Sequence, residues 1–430
     1  MSTSSGINEK KILMICYYYP PLSDVGSQRS ASFSKYLKKH GWRPFVLTIK
    51  NPDKNFCTMG TDAPPDGIDV QHAYSIFNVF WLVKIVHGLI AKAYALARRK
   101  ELQRNYVYEI LAIPDLFWGW IFHSILKGRS IVRSERIDII YVSCSPFSAA
   151  IIGVCLKILT GKKLVLDFRD PFALKSISFY KKNKFSHMVN ESLEKWFLKH
   201  ADMLVLTTEE TRQAYNEQYP RFASKTFTVH NGIDRELLPE NISKYDKFTM
   251  MCGGNLYFFA LNNRCIFEAL AMLKKRGAIT RDSFQFLYYG VDKRQVENLA
   301  REWDVEDLVI ARGGIPHRQL LDALSRSHVQ LLRIIKPMIS TKLFEGIALN
   351  TPFLAVIPPG EVHDIITRYS PDSLVVNEES AVTITSAIQA IMDSYGKKTT
   401  VDNRLAEFMA AFSRENLTLK LQSLMGNHLS

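Results

Sequence analysis

A chain of 430 residues is too long for one ordinary core and sets an expectation of two domains of roughly 200 residues each. Its 47% hydrophobic and 23% charged content excludes a disordered chain, and no uninterrupted apolar run reaches the roughly 18 residues needed to cross a bilayer. The net charge of +13 implies acidic company, whether nucleic acid, anionic lipid or a phosphorylated substrate, without choosing among them.

In chain order, Met1–Gly6 lacks the basic and apolar regions of a secretory signal, so a cytosolic protein is expected. Lys11–Tyr19 reads as a first strand, ended by Pro20-Pro21. A glycine-bearing loop follows, then a helix from Gln28 to about His40. Gly26 would let backbone approach a ligand closely, and Arg29 in the first helical turn could meet a diphosphate or an anionic acceptor; the plainer reading is a surface turn with a solvated arginine. Phe45–Ile49 completes a strand–helix–strand unit, with neither Gly-x-Gly-x-x-Gly nor a Walker-type loop.

Residues 76–100 read as a basic, aromatic-rich helix in which Lys84, Gly88, Lys92 and Arg99 share a narrow face and the rest is apolar. With Arg98-Arg99-Lys100 at its end, it suits a helix resting on anionic lipid; a long, partly buried core helix is the alternative. Ile113–Trp120 continues the aromatic theme and could line an acceptor groove or join that face. Strands at Ile137–Cys144 and Lys163–Pro171 follow, the carboxyl end of the latter carrying Asp167-Phe168-Arg169-Asp170. At the mouth of a parallel strand, Asp170 beside Arg169 can stay ionised and remove a proton, or the two can simply tie the strand end to a helix. After strands at Met203–Thr208 and Thr226–Gly232, the polar stretch Ile233–Lys247 is the best linker in the chain.

The second half repeats the alternation. Phe248–Asn255 is a strand entering a glycine turn, where Gly253 and Gly254 offer N–H groups to a phosphate and Arg264, near the next helix start, is a candidate counter-charge. Phe284–Gly290 and Leu308–Ala311 are further strands, and the glycines of Arg312–His317 leave backbone that could pair with a base edge. Ser340-Thr341-Lys342-Leu343-Phe344-Glu345 then opens a helix with capping hydroxyls and puts Lys342 and Glu345 on one side. The free N–H groups and Lys342 suit a phosphate and Glu345 suits sugar hydroxyls, although an ordinary amphipathic helix with a solvated pair has the same pattern. Asn350-Thr351-Pro352 stops the helix before the buried strand Phe353–Ile357, which places it in an α/β layer. The six cysteines, Cys16, Cys57, Cys144, Cys155, Cys252 and Cys265, have no Cys-x-x-Cys spacing and read as reduced core residues.

Assembled, the chain resembles the GT-B glycosyltransferases of family 4, in a subgroup with a "YYPP…G…R…KYL…G" opening. The matching residues are Tyr18, Tyr19, Pro20, Pro21, Gly26, Arg29, Lys35, Tyr36, Leu37 and Gly41, then Ser145-Pro146, Asp167–Pro171, Val229–Asp234 and Ser340–Glu345. The resemblance implies two Rossmann-like, doubly wound domains facing across a cleft: an acceptor domain over residues 1–235, on which a helix at 413–430 packs back, and a donor domain over residues 236–412. It implies that Glu345 holds the donor ribose, Lys342 and Arg264 the diphosphate, Ile315 the base through its backbone, and Gly26 the diphosphate from the other domain. Gly254, Ser340, Thr341 and Leu343 join the donor set, Arg29, Ser145 and Asp167 the acceptor set, and Asp170 with Arg169 faces the acceptor as the catalytic pair. Two departures stand out: Pro337 replaces the first glutamate of the family's Glu-x7-Glu pair, and Asn255 replaces an arginine after the glycine turn.

The expected activity is transfer of a hexose-type unit from a nucleoside diphosphate sugar to a lipid-linked or polysaccharide acceptor, cytoplasmic and peripheral on the inner face of a membrane. No cofactor or metal is expected, since there is no Asp-x-Asp pair and no His/Cys cluster. No nucleic-acid partner is expected, because the basic residues are dispersed or lie on the 76–100 helix. A nucleotide-sugar epimerase of the same fold and a non-catalytic membrane scaffold are the alternatives, the former needing a second acid/base carboxylate.

Overall fold

The computed structural model describes residues 9–22, 24–55, 57, 59–60, 62–98, 105–174, 184–240, 242–334, 339–396 and 403–429. Met1–Gly6, Arg99, Lys100 and Pro337 lie outside these residues. The chain divides into two compact units, one formed by residues up to His230 together with those from Thr418 onward, the other by Asn231–Leu417.

Unit 1 is built on seven strands, β1 (Lys11–Cys16), β2 (Arg43–Ile49), β3 (Asp69–Ala73), β4 (Ile139–Cys144), β5 (Lys163–Phe168), β6 (Met203–Leu206) and β7 (Thr226–Thr228). They form one parallel sheet in the order β3-β2-β1-β4-β5-β6-β7. The first strand stops three residues short of the expected Tyr19 and the last four short of Gly232. Every residue from Ile12 to Cys16 is fully buried, because helices cover both faces of a parallel sheet, and this explains an unbroken apolar run instead of alternation. The order reverses between β1 and β4, which makes the carboxyl ends of those strands a switch point where loops diverge and leave room for a ligand.

The first helix runs Val25–Lys39 and not from Gln28, because the Asp24 side chain accepts a hydrogen bond from the Gly26 N–H at 2.7 Å and caps it. Gly26 therefore sits in the first helical turn, not in a loop. The basic, aromatic helix spans Val79–Arg98, capped by Asn78, whose Oδ1 accepts from the Trp81 N–H at 2.9 Å. Val79–Ala97 is long and apolar enough to cross a membrane, with 11% of it buried. This corrects the expectation that no segment qualifies; Lys84 and Lys92 break the apolar run without lowering its average enough to matter.

Unit 2 carries β8 (Phe248–Gly253), β9 (Phe284–Tyr289), β10 (Val309–Arg312), β11 (Val329–Arg333), β12 (Phe353–Val356) and β13 (Leu374–Val376) in one parallel sheet, ordered β10-β9-β8-β11-β12-β13. Adjacent β11 residues feed separate cores: Leu331 packs with Met250 and Phe267, Leu332 with Phe344 and Phe408. Both units are thus doubly wound, and the second has its switch point between β8 and β11.

The stretch read as a polar linker begins differently. Ile233 is buried, its N–H bonds the Phe412 carbonyl at 3.1 Å, and Arg414 bonds the Gly232 carbonyl at 3.0 Å and Asp234 at 3.1 Å. The apolar side chain of Ile233 and the charge of Asp234 each find a partner within unit 2, so the segment is clamped.

Elsewhere in unit 2, buried His328 accepts the Thr249 N–H on Nδ1 at 3.1 Å, a bond that requires the neutral ring. Burial, helped by Lys244, lowers its pKa to about 4. The folded-state value lies below that of the free residue, so the stabilisation is present above about pH 6.5 and is lost as pH falls towards 4. Melting temperatures measured from pH 7 to 4.5 are expected to fall less steeply for His328→Gln than for the native chain.

Candidate active site

In unit 1 the predicted residues gather at the carboxyl edge of the sheet, but they separate into two groups. Arg29 and Asp167 are buried against each other. The arginine Nε donates to Asp167 Oδ2 at 2.8 Å and its Nη2 to Oδ1 at 3.0 Å, while Nη1 and Nη2 also reach the His230 and Val229 carbonyls at 2.7 and 2.9 Å. The Tyr141 hydroxyl donates to the same carboxylate, and Arg29 lies over the Phe33 ring. This is a correction: donors and acceptors are spent on one another, so these two residues tie the helix Val25–Lys39 to β5 and do not face an acceptor.

The second group remains accessible. Just past β5, the Arg169 guanidinium donates to the Ser145 carbonyl and approaches Asp24 Oδ1 at 3.4 Å, and it lies 5.8 Å from the centre of the Tyr18 ring. Its Nε is buried without a partner among the described residues. A Cβ on Gly26 would come within 2.2 Å of this guanidinium, so only glycine permits the approach. Asp170 is half-buried beside it. Burial raises the pKa of Asp170, Arg169 opposes that rise and Asp24 adds to it.

In unit 2, loops after three strands converge on one helix start. Ser340 caps the helix Thr341–Ala348, its hydroxyl accepting from the Lys342 N–H at 3.3 Å. Lys342 Nζ reaches back to the Asn255 carbonyl at 3.0 Å and lies 5.7 Å from the Tyr257 ring centre. Gly254 turns the chain there with φ +79°, and a Cβ on it would meet Lys342 at 3.0 Å. One turn along, Glu345 is 5% exposed and its Oε1 pairs with His317 Nε2 at 2.9 Å. His317 opens the helix after β10, two residues beyond half-buried Ile315.

Two donor residues are placed otherwise than expected. Leu343 is fully buried in the core and its N–H bonds the Ser340 carbonyl at 3.1 Å, so it seats the helix and offers nothing to a ligand. Arg264 is exposed and its guanidinium pairs with Glu302, so its charge is directed to the surface.

Reading the sequence missed His317 and Arg333. Arg333, at the end of β11, is buried, pairs with Glu379 at 2.8 Å, and has Nε and Nη1 without partners among the described residues. A charged residue closing an apolar strand was the available signal. For His317 there was none, since its partner stands 28 residues away. Among the described residues, no three His, Cys, Asp or Glu side chains cluster as metal ligands.

Residues 29–237 match the family model described as Glycosyltransferase Family 4. The chain has the GT-B fold, and the stretch 29–237 is similar to family 4. Solved GT-B structures similar to it include sucrose-phosphate synthase from Thermosynechococcus elongatus, at 16% identity with TM-score 0.64, covering 97% of this chain and 99% of that one. Anabaena Alr3699/HepE in complex with UDP-glucose aligns at 12% identity with TM-score 0.66, over 97% and 99% of the two chains. A lipopolysaccharide outer core galactosyltransferase, WaaB, aligns at 11% identity with TM-score 0.59, again over 97% and 99%. No curated protein matches the sequence. The family 4-like match falls on the unit that holds Arg169 and Asp170, whereas the Lys342–Glu345 helix lies outside its span.

Proposed function

We propose that this GT-B chain transfers a hexose-type sugar from a nucleoside diphosphate sugar to a lipid-linked or polysaccharide acceptor. The observation that carries the proposal is the convergence, within unit 2, of Lys342, the Gly254 turn and the His317–Glu345 pair on one helix start. A capped helix start beside a lysine favours the diphosphate, and its positive charge offsets the negative charge that grows on the leaving group, a task the proposal gives to the protein and not to a metal ion. Glu345, oriented by His317, accepts hydrogen bonds from sugar hydroxyls. Similarity to a chain solved with UDP-glucose supports a nucleotide-sugar donor. In unit 1, Asp170 takes the proton from the acceptor hydroxyl and Arg169 orients it.

The proposal also places the protein on the cytoplasmic face of a membrane, with the helix Val79–Arg98 lying in the lipid interface. Trp81, Leu89 and Leu96 of that helix are 63%, 65% and 86% exposed, and Lys84 and Lys92 are exposed beside them. Anionic vesicles should bind the chain, with affinity falling as salt rises.

The donor reading is tested by thermal shift with a panel of nucleoside diphosphates and by transfer assays in excess chelator. Lys342→Ala and Glu345→Ala should each cut transfer by about tenfold or more. Unchanged turnover in both variants rejects the donor site.

A further inference from the structure

The structure assigns Tyr288 and Asp292 of unit 2 as positioning residues for the donor diphosphate, acting through the turn Gly254–Leu256 and not by touching the ligand. This inference rests on the transferase reading and adds two residues to its donor site.

The turn follows β8, and each of its carbonyls is bonded to a side chain. The Tyr288 hydroxyl donates to the Gly254 carbonyl at 2.6 Å, Lys342 Nζ to the Asn255 carbonyl at 3.0 Å and Asn263 Nδ2 to the Leu256 carbonyl at 2.9 Å. Two N–H groups are held as well, that of Gly254 by the Tyr289 carbonyl at 2.7 Å and that of Leu256 by Asp292 Oδ2 at 2.8 Å. The Asn255 N–H, on a half-buried residue, has no partner among the described residues. A turn whose carbonyls are all engaged, and whose remaining N–H stands beside a lysine, favours an anion.

Tyr288 and Asp292 hold this arrangement from the β9 side. Tyr288 is fully buried near the end of β9, and its hydroxyl also accepts the Asp292 N–H at 3.0 Å, so the two residues form one bracket under the turn. A phenylalanine would fill the same space; only the hydroxyl reaches the turn. Between them, a Cβ on Gly290 would come within 2.0 Å of the Gly254 carbonyl oxygen and 2.3 Å of the Tyr288 hydroxyl, so only glycine lets the two segments close. A carboxylate facing a diphosphate would repel it. Asp292, however, is 9% exposed, is bonded to the Leu256 N–H, and stands at the start of the helix Lys293–Glu302, where the helix dipole offsets its charge.

Backbone geometry matters here because side-chain charge is sparse. Arg264 directs its charge to the surface and Asn255 is neutral, so beside Lys342 the turn offers the phosphate its own N–H. A shift of about 0.5 Å in the turn is enough to spoil such a contact.

The test is isothermal titration calorimetry on the full chain with UDP, ADP, GDP and dTDP, well below the melting temperature. For the nucleotide that the native chain binds most tightly, Tyr288→Phe and Asp292→Ala should each weaken binding by about tenfold. Asp292→Asn, whose side-chain oxygen can still accept the Leu256 N–H, should stay within about threefold of the native affinity. Lys244→Ala controls for lost stability alone: Lys244 donates to the Ser325 and Ser327 carbonyls at 2.9 and 2.6 Å, at the opposite edge of the sheet from the turn, so this variant should melt earlier yet bind as the native chain does. Affinity unchanged in Tyr288→Phe and Asp292→Ala, or lowered equally in Lys244→Ala, overturns the assignment and leaves the transferase reading standing. Asp292→Asn binding as weakly as Asp292→Ala overturns the part given to Asp292. A native chain that binds none of the nucleotides defeats the transferase reading itself, and this inference with it.

Discussion

Replacing Arg29 by alanine is expected to destabilise unit 1 by about 3–5 kcal/mol, the cost of leaving one member of a buried, hydrogen-bonded ion pair without its partner. Asp167 would keep the Tyr141 hydroxyl but lose two charge-assisted bonds, and the Val229 and His230 carbonyls would lose their donor. By contrast, Glu191→Ala, which breaks an i,i+4 pair with a lysine 56% exposed, should cost about 1 kcal/mol or less. Tryptophan fluorescence during urea unfolding can separate the two, since Trp42, Trp81, Trp118, Trp120 and Trp196 lie in unit 1 and Trp303 in unit 2. Equal midpoints for the two variants would show that the Arg29–Asp167 pair carries no special stability.

Asp170→Asn is expected to lower sugar transfer by about 10²–10⁴-fold, the usual range for a lost general base, while leaving nucleoside diphosphate binding intact. The pH profile gives a sharper test. Burial raises the Asp170 pKa, so transfer should fail on the acid side at a pH above the ordinary carboxylate range, because the base must be ionised to act. Asp24 contributes to that rise, so Asp24→Asn should move the acid limb to lower pH while Asp170→Asn removes it. A limb unmoved in Asp24→Asn would mean that another group titrates.

Much of this architecture is legible in the sequence because a parallel sheet is written in runs of buried apolar residues. Leu13 and Ile15 on one face of β1, and Ile12 and Met14 on the other, are apolar for the same reason, and each such run could be read locally. The Ser340–Glu345 helix start was readable too, since a cap and its first turn are neighbours in sequence. What escaped depends on distance along the chain. Arg29 meets Asp167 across 138 residues, so its burial could not be told from its position in a helix. Glu345 meets His317 across a strand and a helix, and Arg264 is drawn to Glu302 by a neighbouring helix that spacing does not reveal. Asp24 escaped for a subtler reason: its side chain starts the helix three residues before the apolar period becomes visible.

The closing helix, Arg414–Leu429, has a consequence for biosynthesis. Leu421 and Met425 are fully buried, His428 packs its ring 4.5 Å from Phe227, and Gln422 bonds the His40 carbonyl at 3.2 Å, all within unit 1. Unit 1 is therefore left without this cover until residues 418–429 have been made, after the whole of unit 2. A nonsense mutation near codon 415 would spare almost all of unit 2 yet leave the earlier-made unit with an uncovered apolar seam, inviting proteolysis of the part translated first.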